Sequence, residues 1–291
     1  MKNYFMVSAK FNKKYIIKSF SKINLHLNVL QKNKNNLHKI ESLVMFCGIH
    51  DSIELKKSKT NLHNINFVGK YSNGLQKKNT IKDLLSILDK KKYLKNQKFN
   101  IKITKNIPHR SGMGGGSMNA ASILKFFIDK NFINLQKSEI MNVVKKIGSD
   151  VVLGLNNNIK LLNSRGKVIN FKKKFNLYLA LVYPNFGCST SKIYKMVRTY
   201  NRPSFKNNRN PKLPELIGLK NDLENVAFVK YRKLFHLKNY IETLPNIYFA
   251  RMTGSGSTII GYFKRKKDAL YGTKLLRKRY KNYWCIFTKT I

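Results

Sequence analysis

Acid is what this chain has least of. Its 291 residues contain 13 Asp and Glu against 58 Lys and Arg, a formal charge of +45 at pH 7. Such a balance is the electrostatic footprint of a nucleic-acid binder. The basic residues, however, are interspersed with Asn and Ile from end to end rather than gathered in one segment. Lys, Asn and Ile all have A/T-rich codons, so base composition explains the charge better than a selected nucleic-acid partner. The charge would still speed capture of an anionic substrate. Cysteine is also sparse. Cys47, Cys188 and Cys285 lie far apart, with no Cys-x-x-Cys and no metal-ligand spacing. They read as reduced thiols in a reducing cytoplasm. No apolar run approaches the ~18 residues of a membrane span, so the chain reads as soluble. The N-terminus lacks the apolar stretch and small-residue cleavage site of a secretory signal. Residues 1–14 read as a short leader or strand, with an organelle transit peptide the weaker reading. Monomer and homodimer both fit.

What is present is enough for a core. Hydrophobic residues make up 42% of the chain, which excludes a disordered basic tail. At about 150 residues per domain the length fits two domains, with a break near residue 155 giving 1–155 and 156–291. From Lys22, polar and apolar residues alternate, placing Lys22, Asn24 and His26 on one face of a half-buried strand. Further strands are expected at 42–47, 52–55, 100–104, 177–183 and 283–288. Helices are expected at 80–88, 117–130, from after Ser138 to 147, 222–233, 235–243 and 266–278. In the third of these, Glu139 is favourable near the N-terminus. Residues 163–166 form a turn, 201–214 an exposed loop, and 248–263 a strand, glycine turn and strand. Strands and helices mix without regular βαβ alternation, so the expected class is α+β.

The most specific local signal is Pro108-His109-Arg110-Ser111-Gly112-Met113-Gly114-Gly115-Gly116-Ser117-Met118, entered by a strand and left by a helix. Its four glycines let backbone N–H groups turn toward one point with no Cβ in the way. A helix beginning near Ser117 adds unpaired N–H groups and the positive end of its dipole. Together these make a phosphate cradle. It is neither a P-loop nor the dinucleotide fingerprint. A second glycine turn, Arg251-Met252-Thr253-Gly254-Ser255-Gly256-Ser257, either closes over the same phosphates or is simply a tight hairpin. Asp150 stands out among so few acids. At a helix C-terminus an acid is disfavoured by the dipole, which points to a functional role.

Lys22-Ile23-Asn24-Leu25, the 108–121 loop, Gly148-Ser149-Asp150, Asn221-Asp222-Leu223-Glu224 and the 251–257 turn fall in the order and spacing of the GHMP small-molecule kinases. The chain resembles that family from about Ser19 onward. Within it, the chain looks most like the members acting on a methylerythritol linked through a diphosphate to cytidine. The resemblance implies a two-domain fold with an active-site cleft between the domains. It implies ATP bound by Pro108, His109, Arg110, Ser111, Gly112, Met113, Gly114, Gly115, Gly116, Ser117 and Met118. Mg²⁺ is implied with ATP. The lack of carboxylate clusters leaves phosphates and water as most of its ligands, with Ser117 a candidate protein ligand. Lys22 and Asp150 match the catalytic pair, with Asp150 accepting the proton of the acceptor hydroxyl. Asn24, His38, Tyr194, Thr253 and Gly254 match substrate-binding positions, with the cytidine near His38 and Tyr194.

The sequence departs from the family pattern in places. Phe20-Ser21 replaces Pro-Ala before the lysine, Leu37 stands where a tyrosine normally stacks on cytosine, and Met118 replaces a second serine. His109-Arg110-Ser111 stand where small residues are common, and Val152 replaces a proline. Lys22, Asp150 and the glycines are all retained. The rival readings are a GHMP kinase for homoserine, mevalonate or a sugar, and, from another class, a basic RNA-binding protein. The RNA reading lacks an RNP-type aromatic–basic motif.

Overall fold

A computed structural model describes residues 13–33, 38–75, 79–172, 174–205 and 209–291. Leu37, and the expected leader except for its last two residues, lie outside the described residues. The fold opens on two long paired strands, β1 (Tyr15–Lys32) and β2 (His38–Lys57). β2 runs through both segments expected as separate strands, since Gly48 between them makes no left-handed turn. β1 has the expected register but not the expected exposure. Lys22, Asn24, His26 and Asn28 are only 5%, 3%, 1% and 5% exposed. The polar face is therefore as buried as the apolar one, and each polar group needs an internal partner.

Contacts divide the chain into two compact units that interleave. One takes residues up to 21, 49–107 and 115–156; the other takes 22–48, 108–114 and 157–291. One boundary falls between residues 156 and 157. The others arise because β1, β2 and the glycine loop each supply residues to both units.

In the first unit, β4 (Phe99–Thr104) pairs antiparallel with β2 from Ser52↔Thr104 to Lys57↔Phe99. It also pairs in parallel with β3 (Asn64–Val68), a strand whose short alternation was not picked out from the sequence. Helices α1 (Thr80–Lys90), α2 (Gly115–Asp129) and α3 (Lys137–Ile147) share a core that includes Leu84, Leu88, Phe99, Leu124 and Phe127. Asn79 starts α1 by accepting the N–H groups of Ile81 and Lys82 at 3.1 and 2.9 Å. α3 begins at Lys137, one residue before Ser138, and Glu139 accepts the Gln136 N–H at 2.8 Å.

In the second unit, β5 (Ile159–Leu162) pairs with β2 and, through the 163–166 turn, with β6 (Val168–Phe171). An antiparallel sheet follows, in the order β10 (Trp284–Lys289), β7 (Tyr178–Tyr183), β9 (Ile259–Phe263), β8 (Phe249–Met252). Helices α4 (Thr190–Lys195), α5 (Leu223–Lys230), α6 (Arg232–Glu242) and α7 (Lys266–Arg279) complete it. The core there includes Val29, Ala180, Val182, Leu237 and Phe263. Mostly antiparallel pairing with helices between runs of strands is the α+β class.

One buried carboxylate sets the approach to the glycine loop within the first unit. Asp51 is fully buried on β2. Its Oδ1 accepts the N–H groups of Asn106 and Ile107 at 2.8 and 2.9 Å, just before the loop. Its Oδ2 accepts Lys105 Nζ, and Asn119 Nδ2 on α2 at 3.0 Å. One side chain thus ties the chain entering the loop to the helix leaving it. Removing one partner of a buried ion pair costs about 3–5 kcal/mol because the other charge stays behind. Asp51→Ala is expected to lower stability by about that amount, leaving Lys105 unpaired. Urea unfolding against wild type checks this, and an unchanged midpoint would contradict the anchoring role.

Candidate active site

The second unit gathers five of the residues singled out in the sequence. Lys22 Nζ donates to Asn24 Oδ1 at 2.8 Å. Asn24 Nδ2 donates to Ser42 Oγ at 2.8 Å, and Ser42 Oγ donates to the His26 carbonyl at 2.7 Å. The backbone N–H of Asn24 donates to Thr253 Oγ1 at 3.1 Å. The Thr253 hydroxyl lies 3.2 Å from both Asn24 Oδ1 and the Gly112 carbonyl. Thr253 is fully buried and Asn24 nearly so. Their polar atoms serve mainly to orient Lys22 and the loop.

The first part of the glycine loop lies against the Thr253 turn. Gly112 has φ +79°, and a Cβ there would run into the Thr253 carbonyl oxygen. Gly114 has φ +69°, and a Cβ would lie 2.9 Å from Lys22 Cγ and 3.0 Å from Cε. The Lys22 N–H donates to the Met113 carbonyl at 3.2 Å, and the Thr258 N–H to the Ser111 carbonyl at 3.2 Å. Pro108, Ser111 and Met113 are buried, and the Ser111 hydroxyl turns back to the Pro108 carbonyl at 2.7 Å. His109 and Arg110 are exposed. Loop and turn therefore interlock, so the 251–257 segment is more than a hairpin.

The Asn-Asp-Leu-Glu motif is part of this support. Asn221 Nδ2 donates to the carbonyls of Met252 and Gly254, both at 2.8 Å, and Glu224 Oε1 accepts the Met252 N–H at 2.6 Å. Burial raises the Glu224 carboxyl above its ordinary pKa. Arg251 donates to the carbonyls of Leu25 and Leu216 at 2.5 and 3.2 Å.

The rest of the loop belongs to the first unit. α2 begins at Gly115, two residues before the expected start, so Gly115, Gly116 and Ser117 form its first turn. The N–H groups of that turn have no partner inside the helix and carry its positive end. Thr80 Oγ1 donates to the Gly116 carbonyl at 2.7 Å, fixing this end. Ser117 is half-buried, whereas the Met118 side chain is buried, which leaves only its backbone to meet a ligand.

Asp150 also lies in the first unit, but not at a helix C-terminus. α3 ends at Gly148, and Asp150 precedes a 3-10 turn, Val151–Leu155. It occupies the N-cap position without making a side-chain cap hydrogen bond. That turn is held tightly to α2: a Cβ on Gly154 would lie 2.6 Å from Ala121 Cβ and 3.0 Å from Met118 Sδ. The position of Asp150 is thereby fixed to the helix that ends the glycine loop. Lys22 belongs to the other unit.

His38 and Tyr194 meet in the second unit, ring centroids 5.2 Å apart. Burial first, then the charge of Lys32, holds the His38 pKa below its usual value, favouring the neutral ring. Among the described residues, no group of three or more His, Cys, Asp or Glu converges to hold a metal ion. Ser42, Asp51, Lys105 and Asn119 are supporting residues that the sequence reading missed. For Asp51 alone there was a signal, the same scarcity of acid that marked Asp150.

The model of the GHMP kinases N terminal domain matches residues 79–159, and that of the GHMP kinases C terminal matches 201–271. The chain is 48% identical to the 4-diphosphocytidyl-2-C-methyl-D-erythritol kinase of Pelagibacter ubique (strain HTCC1062), over 94% of this chain and 98% of that protein. The chain belongs to the GHMP kinase family. As a GHMP kinase it is an ATP-dependent small-molecule kinase. It is also 30% identical to the kinase of the same name from Petrotoga mobilis, covering 84% of this chain and 96% of that one. Among solved structures, a 4-(cytidine 5'-diphospho)-2C-methyl-D-erythritol kinase aligns with TM-score 0.73 at 20% identity, covering 95% of this chain and 100% of the other. The L. major mevalonate kinase aligns with TM-score 0.67 at 16% identity, covering 95% of each. These two likenesses establish the GHMP kinase fold.

The two loop glycines are expected to fail differently. Gly112→Ala meets backbone, which cannot step aside. Gly114→Ala meets the flexible Lys22 stem. Each forces alanine into positive φ, at a cost above about 1 kcal/mol. Thermal melting is expected to show the larger loss for Gly112→Ala. Gly114→Ala is expected to keep more stability while losing turnover through a displaced Lys22. Equal melting temperatures would contradict this ordering.

Proposed function

We propose that the chain transfers the γ-phosphate of ATP to the 2-hydroxyl of 4-diphosphocytidyl-2-C-methyl-D-erythritol, a step in non-mevalonate isoprenoid precursor biosynthesis. The observation that carries this reading is the 48% identity, over 94% of the chain, to the Pelagibacter ubique kinase of that name. Retention of Lys22, Asn24, Asp150, Thr253 and the glycines supports it.

In this reading the loop amides and the first turn of α2 hold the phosphates of ATP. Asp150 accepts the proton of the 2-hydroxyl as its oxygen bonds to the γ-phosphorus and ADP leaves. Lys22, oriented by Asn24, offsets charge developing on the reacting oxygens. His38 and Tyr194 receive the cytidine. Mg²⁺, bound by phosphate oxygens and water with Ser117, would neutralise phosphate charge. The chemistry of the donor set fits, because Mg²⁺ in phosphoryl-transfer sites keeps several waters and takes few protein ligands.

A cytoplasmic setting agrees with three buried cysteines that form no disulfide. Burial pushes Cys188 up to about 12 and Cys285 to about 11, which leaves them as inert thiols. No helix among the described residues is long and apolar enough to cross a membrane.

The test is incubation with ATP, Mg²⁺ and a panel of acceptors. Phosphorylation of the cytidine-linked erythritol is expected. Turnover of homoserine or mevalonate in its place would refute the assignment. Asp150→Asn is expected to lower kcat by about 10²–10⁴-fold, the range for a general base, with an unchanged melting temperature. Near-normal kcat would remove Asp150 from that role.

A further inference from the structure

Two tyrosine rings converge on one imidazole in the second unit, and the function proposed above uses only one of them. His38 lies 5.2 Å from the Tyr194 centroid and 6.3 Å from that of Tyr200, with similar tilts of 36° and 31°. Tyr200 leaves 44% of its surface exposed. A large ring at a protein surface is ordinary when it stands alone. This one stands beside a histidine whose Nε2 is shielded from solvent and has no hydrogen-bond partner among the described residues. A buried polar atom in that state is open to a hydrogen bond from a ligand.

The backbone that carries Tyr200 is unusually well fixed for an exposed segment. The Asn201 N–H donates to the Val29 carbonyl at 2.9 Å, and Asn201 Nδ2 donates to Asp222 Oδ1 at 2.8 Å. Asn28 Nδ2 donates to the Arg202 carbonyl and to Ser204 Oγ at 3.1 and 2.9 Å. Glu41 Oε1 accepts the Ser204 N–H at 2.6 Å. Three side chains from outside the loop and the Val29 carbonyl thus hold Asn201, Arg202 and Ser204. An exposed aromatic on a pre-set backbone loses little freedom when a flat ligand stacks on it. Base–aromatic stacking needs such a platform, and a neutral imidazole edge adds the hydrogen bonding that stacking alone does not supply.

We propose that Tyr200 is a substrate-binding residue whose ring, with Tyr194 and His38, forms the pocket for the pyrimidine base of the acceptor substrate. The inference rests on the substrate reading above, which assigns the base to His38 and Tyr194; Tyr200 is the addition. The role is assigned to the ring face of Tyr200 and not to its hydroxyl.

Binding of CDP, measured by calorimetry with a saturating non-hydrolysable ATP analogue present, tests this together with steady-state kinetics. Tyr200→Ala is expected to weaken CDP about tenfold, the scale of losing one base–aromatic stack. KM for the acceptor should rise in parallel, with kcat and KM for ATP within about twofold of wild type. Tyr200→Phe should retain wild-type affinity. If Tyr200→Ala binds CDP normally while His38→Ala or Tyr194→Ala does not, the pocket stands and the role of Tyr200 is overturned. If none of the three changes CDP affinity, the placement of the base is itself wrong. A rise in KM for ATP equal to that for the acceptor would show a structural role for the ring and overturn the proposal.

Discussion

A lysine ammonium inside a sheet must be given an acceptor, because an unpaired buried charge costs several kcal/mol. Lys22 is such a group, and Asn24 two residues along the same face of β1 provides the acceptor. Much of the second unit's site follows from that bond. Asn24 can present its oxygen to Lys22 only if its amide nitrogen is satisfied elsewhere, and Ser42 on β2 does this. Ser42 is in turn fixed by the His26 carbonyl. The same asparagine reaches Thr253 through its N–H, and Thr253 sits against the Gly112 carbonyl. Lys22, the glycine loop and the second glycine turn are therefore one hydrogen-bonded assembly. None can shift without breaking a buried bond in another.

The first unit is built on the same principle with a different anchor. Asp51 collects two backbone amides, an ammonium and a side-chain amide, so its carboxylate is fully paired in a site that excludes water. It fixes the chain entering the loop and the start of α2 together. The close packing of Gly154 on α2 then fixes Asp150 to that helix. Phosphoryl transfer asks for little covalent chemistry from the protein and much positioning. Each unit answers with rigid internal scaffolding around its own share of the proposed site residues.

How much of this was legible depended on whether its cause was local. The glycine loop was, because the left-handed φ of Gly112 and Gly114 is a property of those residues. The period of β1 was also legible, but its exposure was not. Alternation says which residues share a face and nothing about what covers that face. The partners of Asp51 lie 54 to 68 positions away, so no window of sequence could reveal them. Asp150 was misread by only a few residues. α3 ends at Ile147, as expected, with Gly148 as its C-cap, so Asp150 lies beyond the helix and opens the next turn. That reverses the sense of the dipole beside it, and the inference drawn from an unfavourable dipole lapses.

The scarcity of acid acquires a different meaning inside the fold. Glu41, Asp51, Glu139, Glu215, Asp222 and Glu224, six of the 13 acids, accept backbone N–H groups. With 58 basic residues, ion-pair partners are everywhere, and an exposed pair contributes little. A carboxylate on a backbone amide makes a charge-assisted bond and holds a particular stretch of chain in place. Asp222 and Glu224 do so at β1 and at the Thr253 turn, as Asp51 does ahead of the glycine loop. Rarity thus marks anchors as readily as chemistry and does not by itself single out Asp150. What distinguishes Asp150 is its place. It opens the 3-10 turn that packs on α2, the helix that leaves the glycine loop. A base in phosphoryl transfer needs position more than strength, and it is this placement, not rarity, that the proposed role rests on.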